Sequence, residues 1–270
     1  MSGPVWVNGS EGGHLDPADR GLAYGDGLFE TLRVEKGRAV LGDLHFSRLR
    51  DSAAALGLAL DVAALQQDFL RFLQACPARC VAKIIVTRGV SGRGYLPDPA
   101  AVPTVIFSAH PLTEIPEAQD GIEAAVCTLQ LGLQPLLAGH KHLNRLEQVL
   151  LRRELEALGK REALVCASDG QVVEGVFSNV FLVRDGVLYT PLIDQAGVRG
   201  VMRAAILAHA AAQGIPTQES RLTVDAFRDA DEVFFCNSVN GIWPVSGLSG
   251  RHWTQWPLTR RLQAFWQEQL

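Results

Sequence analysis

The spacing of apolar and polar positions predicts the local structure before any single residue is singled out. In "LFETLRVE", Leu28 to Glu35, β-branched and aromatic residues alternate with others at the period of a half-buried strand. "KG" followed by "RAVL" then supplies a turn and a return strand. Over "DLHFSRLRDSAAALG" the period lengthens. Phe46, Leu49, Ala53 and Leu56 share one helix face, with Asp43 as N-cap and Gly57 as stop. "DVAALQQDFLRFLQA" predicts a second helix ended by Pro77, and "CVAKIIVT" and "TVIFSA" predict two strands separated by the long loop "RGVSGRGYLPDPAAVP".

"HPLTEIPEAQDG", with two prolines and an Asp-Gly pair, reads as a linker. Beyond it come a strand "IEAAVCTLQ", a loop carrying Lys141, a helix from Asn144 to Leu158, and the strands "EALVCASD" and "QVVEG". A hairpin "NVFLVRDGVLYT" precedes a helix from about Gly200, and "ADEVFFCNSVNGIWPV" is strand, loop, strand. Strands and helices mix without strict alternation, which predicts an α+β fold. The expected division is a small domain over residues 1–110, a linker over 111–121 and a larger domain over 122–270 that carries Lys141.

Composition narrows the function. With 25 basic and 29 acidic residues, a net charge of −4 and no basic stripe, nucleic acid is excluded as a partner. The start has no secretory pattern, and the longest uncharged stretches are broken by Asn, Pro and Gly, so a cytoplasmic protein is expected. Five cysteines lie scattered without a C-x-x-C pair, as buried free thiols do.

Four lysines are present, and two of them, Lys36 in a turn and Lys160 after a helix-ending glycine, face solvent by position. Lys83 lies in an apolar strand, facing either a cavity or the solvated side. Lys141, in "GHKH", has Asn144 available to cap the helix after it, and a helix N-terminus disfavours the ammonium form. It is either an ordinary loop lysine or a nucleophile capable of Schiff-base chemistry. His140 and His142 share a face as metal ligands would, but no third ligand is evident, which favours a structural pair and no metal. "RGVSGRGY" departs from G-x-G-x-x-G, and the guanidinium forks of Arg88 and Arg93 suit a carboxylate better than a phosphate. Gly197 and Gly200 precede an apolar helix whose free amides make an anion site, or else form a routine turn. Glu174 is an acid within an apolar strand.

Four stretches, "YGDGLFET", "TRGVSGRGY", "GHKHLNRLEQVL" and "DQAGVRGVMR", taken in order, resemble the fold type IV pyridoxal-phosphate enzymes, the family of branched-chain and D-amino-acid aminotransferases and aminodeoxychorismate lyases. "RGVSGRGY" is the stretch that resembles the lyases more than the aminotransferases. The resemblance implies a small N-terminal α/β sandwich, a larger mixed β-barrel-like domain with helices, and pyridoxal 5'-phosphate as cofactor. Lys141 matches the Schiff-base lysine, Arg48 the arginine on the cofactor phosphate, and Glu174 the partner of the pyridine nitrogen. Gly200, Val201 and Met202 fall where backbone amides meet the phosphate, and Ser238 where some members place a hydroxyl. For the lyases the implied reaction converts 4-amino-4-deoxychorismate to p-aminobenzoate and pyruvate, a step of folate biosynthesis, with Lys141 expected as the base. Arg88 and Arg93 match the lyases only as a motif, and it is the two carboxylates of that substrate that make them its expected ligands. An aminotransferase with the same apparatus is the alternative, and a homodimer is implied in either case.

Overall fold

The computed structural model describes residues 3–270. They fall into two compact units, one formed by the chain up to Thr113 with His140–Asn144, the other by Glu114–Gly139 with Arg145–Leu270.

The first unit contains β1 (Val5–Val7), β2 (Ser10–Glu11), α1 (Arg20–Tyr24), β3 (Gly27–Glu35), β4 (Arg38–Ala39), α2 (Gly42–Ala55), α3 (Val62–Leu73), β5 (Cys80–Thr87) and β6 (Thr104–His110). The six strands form one antiparallel sheet in the order β2-β1-β6-β5-β3-β4. Because side chains alternate along a strand, Leu28, Leu32, Ala82, Ile84, Val86 and Phe107 all point to the face covered by α2 and α3. There they meet Phe46, Leu49, Phe69 and Phe72 in a core with stacked and edge-on phenylalanines. Phe29, Thr31, Lys83 and Ile85, on the opposite face, are half-buried. Helix α2 starts differently from expectation. Its cap is Leu41, in left-handed backbone without a side-chain bond, and Asp43 sits inside the first turn, where its charge still favours the helix dipole.

The second unit opens with a 3₁₀ turn at Pro116–Asp120, followed by β7 (Ile122–Val126), α4 (Leu146–Ala157), β8 (Glu162–Cys166), β9 (Val172–Gly175), β10 (Asn179–Arg184), β11 (Val187–Pro191) and α5 (Val201–Ala212). It continues through β12 (Thr217–Ser220), α6 (Val224–Arg228), β13 (Glu232–Asn237), β14 (Gly241–Leu248), β15 (Arg251–His252) and α7 (Pro257–Glu268). Its mixed sheet runs β12-β11-β10-β13-β14-β7-β8-β9, with β15 beside β14. The pairs β11–β12, β14–β7 and β7–β8 are parallel. The sheet curls until its ends meet: Val172 in β9 donates its amide to Leu222, just past β12, at 2.8 Å. That curl gives the barrel-like form. Every residue of β8 and β9 is buried, including the glutamate that each strand carries, Glu162 and Glu174. Trp266 of α7 seats against Gly241, where a β-carbon would lie 2.3 Å from the indole nitrogen.

The expected division placed Lys141 in the larger domain, whereas residues 140–144 pack with the first unit. The reason is strand-like pairing with β3: the amide of Phe29 donates to Lys141 O at 2.9 Å, and that of Leu143 to Gly27 O at 3.0 Å.

Candidate active site

In the first unit, Lys141 lies beside β3 with its Nζ 4.4 Å from the centroid of the Phe29 ring. Lys83 Nζ approaches the same ring at 5.2 Å, so Lys83 belongs to the half-buried face that carries Phe29. Asn144 does not cap the following helix. Its Nδ2 donates at 3.1 Å to the carbonyl of Gly25, the left-handed residue that ends α1, and α4 begins at Leu146 with Arg145 as cap. His140 Nδ1 bonds Ser52 Oγ of α2 at 2.9 Å, and His142 bridges Leu28. Among the described residues no three His, Cys, Asp or Glu side chains gather as metal ligands.

Arg48 belongs to a buried triad that its own sequence stretch did not reveal. Glu30 in β3 is 1% exposed, and its Oε1 accepts from Arg48 Nε at 2.8 Å. Its Oε2 accepts from Arg48 Nη2 and lies 2.6 Å from His45 Nδ1. Burial opposes ionisation of Glu30, but the charge of Arg48 and the bond to His45 outweigh it and bring the carboxyl down to about 2. Burial lowers the pKa of His45, assisted by the positive Arg48 and Lys141, despite the pull of Glu30. A neutral imidazole donating from Nδ1 to the carboxylate fits these shifts. The sequence signal was available in principle, since Glu30 has the same parity as Leu28 and Leu32 and so faces α2.

Arg88 and Arg93, paired as substrate ligands on sequence grounds, are placed differently by the structure. Arg88 donates from Nε to Asp26 at 2.8 Å, and from Nη1 and Nη2 to the carbonyls of Gly57 and Leu56 at 2.7 and 2.8 Å. Arg20 bonds the same Asp26 at 2.9 Å and reaches the carbonyls of Gly94 and Tyr95, both at 2.8 Å. Burial would raise Asp26, but the two guanidinium groups hold it below the usual carboxylate range. Arg88 and Arg20 therefore fasten both ends of the glycine-rich loop, while Arg93 is exposed upon it. Arg20 and Asp26 carried no local motif by which to find them.

In the second unit, Glu174 of β9 is buried and its Oε2 accepts from the amide of Val198 at 2.9 Å. Helix α5 starts at Gly200 with no side-chain cap, so its first amides, at Val201 and Met202, have no side-chain acceptor of that kind. Gly200 is required there, because a β-carbon would meet Asn179 Oδ1 at 1.9 Å. Asn179 in turn donates to Val198 O at 2.8 Å. Ser238 is half-buried in the β13–β14 turn, where Asn237 Oδ1 accepts from the amides of Val239 and Asn240 at 3.0 and 2.8 Å.

The chain belongs to the amino-transferase class IV family, which it matches over residues 27–248. Its fold type IV architecture is similar to a crystal structure of 4-amino-4-deoxychorismate lyase from Pseudomonas aeruginosa, at a TM-score of 0.95 and 46% identity, covering 98% of this chain and 99% of that one. Aminodeoxychorismate lyase from Vibrio harveyi is 35% identical over 264 residues, 96% of this chain and 97% of that protein. A hypothetical aminotransferase from Mycobacterium tuberculosis, in its PLP-bound form, shares 25% identity over 98% of each chain at a TM-score of 0.84. The family depends on pyridoxal phosphate. The uncapped α5 terminus with its close-packed Gly200, and the buried carboxylate of Glu174, fit that cofactor's phosphate and ring nitrogen.

Proposed function

We propose that this protein is an aminodeoxychorismate lyase, converting 4-amino-4-deoxychorismate to p-aminobenzoate and pyruvate in folate biosynthesis. The observation that carries the reading is the likeness to the Pseudomonas aeruginosa lyase along the whole chain, at 46% identity against 25% for the PLP-bound aminotransferase. When bound, pyridoxal phosphate supplies a carbonyl that takes up an amine and a ring that withdraws electrons from the neighbouring carbon. Lys141 is the residue that would join the cofactor. Arg48, oriented by Glu30, and the amides of Gly200, Val201 and Met202 would hold the phosphate, assisted by the hydroxyl of Ser238. Glu174 would pair with the ring nitrogen and favour its protonated form.

Lys141 Nζ acts as general base on the substrate ring carbon that bears the nitrogen. Loss of that proton and departure of the enolpyruvyl oxygen with the C–O electron pair make the ring aromatic, and the departing enolate takes up one proton on its methylene carbon to become pyruvate. No keto acid is consumed. Arg93, exposed on the loop that Arg88 anchors, is the cation we assign to a substrate carboxylate, with Arg88 holding that loop in place. The protein is expected to work in the cytoplasm as a homodimer. Leu146, Val149 and Leu150, exposed along α4, are apolar surface of the kind an assembly buries.

The test is release of p-aminobenzoate and pyruvate from aminodeoxychorismate without added keto acid. Wild-type protein should yield equal amounts of both, and Lys141→Ala neither. A wild type that carries a borohydride-sensitive visible band but yields no product, and that transfers amino groups to a keto acid, would replace the lyase reading with an aminotransferase.

A further inference from the structure

Glu162, at the start of β8, is fully buried and has no part in the reaction described above. Its Oε1 accepts from the amide of Ala163 at 3.0 Å and from that of Val176 at 2.7 Å. The second oxygen, Oε2, is buried without a hydrogen-bond partner among the described residues, and Phe177 and Ser178 follow Val176. These residues form the β9–β10 turn, closed by the amide of Gly175 donating to Ser178 O at 2.6 Å. The carboxyl also packs against Gly175, where a β-carbon would stand 2.9 Å from Glu162 Cδ.

That turn joins three elements to which the proposed function gives cofactor roles. Glu174 immediately precedes it in β9. Asn179 immediately follows it, bonding Val198 O and closing on Gly200 at the head of α5. Ser178 Oγ accepts from Asn237 Nδ2 at 3.3 Å, and Asn237 organises the turn that presents Ser238. Glu174, Gly200 and Ser238 thus come from three separate parts of the chain and share one buried anchor.

We infer that Glu162 is a positioning residue for the cofactor: by binding the Val176–Ser178 turn it sets Glu174, the Asn179–Gly200 contact and the Ser238 turn in register. This rests on the reading of Glu174, Gly200 and Ser238 as cofactor ligands. A buried carboxyl serving only to satisfy nearby amides would stabilise the fold without tuning any site. Glu232 provides that comparison, since it too is buried, but it bonds the first amides of α7.

The experiment measures pyridoxal phosphate affinity by the visible band and by fluorescence quenching, together with thermal stability, for wild type, Glu162→Ala, Glu162→Gln and Glu232→Ala. Glu162→Ala should lose at least about tenfold in cofactor affinity, as when a shell supporting ligating groups is removed, and its visible band should shift. Glu162→Gln keeps an acceptor for the two amides and should restore affinity close to wild type. Glu232→Ala should lower the melting temperature and leave affinity unchanged. Glu162→Ala with a lower melting temperature but wild-type affinity and band would overturn the inference. Should Glu162→Ala not fold, Asn237→Ala carries the same test, and unchanged affinity there would overturn the link to Ser238. A wild type that binds no pyridoxal phosphate would defeat the proposed function itself, an outcome distinct from either.

Discussion

Two buried glutamates show how neighbours, and not burial alone, decide ionisation. Glu30 has a guanidinium and an imidazole against it and stays charged, its carboxyl held at about 2. Glu162 has neutral donors only among the groups that stabilise its charge, and burial pushes it up to about 7. The consequences for stability have opposite signs. Glu30 is depressed below its ordinary 4.5, so its contribution, on the order of 3 kcal/mol, is present above pH 4.5 and lost as pH falls toward 2. Glu162 is raised above 4.5, so the native state keeps a proton that the unfolded chain gives up, and stability of similar size is lost as pH rises from 4.5 through about 7. Urea unfolding across pH should therefore show Glu30→Gln flattening the acid limb and Glu162→Gln flattening the decline toward neutrality. An unchanged slope in either variant would mean that its carboxyl titrates normally.

At the scale of elements, helix ends were the least legible part of the sequence. Asp43 and Asn144 both looked like caps, and neither is one, because the chain before α2 turns through left-handed Leu41 and because Gly25 claims the Asn144 amide. Helix α7 shows the converse: Trp256 at its cap position does not cap the helix with its side chain, which donates to Val245 O instead, yet the first turn is satisfied by Glu232 from β13. Glu232 accepts from the amides of Leu258 and Thr259 at 2.9 and 2.8 Å, and from Thr259 Oγ1 at 2.7 Å. Glu232→Ala should cost about 1–3 kcal/mol, since it strands buried donors, and guanidinium titration would measure it. A loss below a few tenths would mean that water takes over the cap. Sequence periodicity, by contrast, located β3, β5 and the body of α2 within a residue or two, since each keeps one face in a core.

For the molecule as a whole, the exposed apolar side chains of α4 carry the expectation of a dimer. Wild-type protein should sediment at twice the mass of a variant carrying Leu146→Asp and Val149→Asp. A monomeric wild type would remove that expectation. The sequence by itself determined the α+β character, the core-facing parity of the strands, the family and the identity of Lys141 as the lysine to watch, because these depend on local period and on motifs read in order. Only the tertiary structure decided that Lys141 packs with the first unit, that Arg88 anchors a loop, that Glu30 bonds Arg48, and that Glu162 bonds the turn that follows Glu174. Each of those facts joins residues far apart in the chain through hydrogen bonds made after the strands have paired, and a buried donor or acceptor takes whichever partner the fold brings to it.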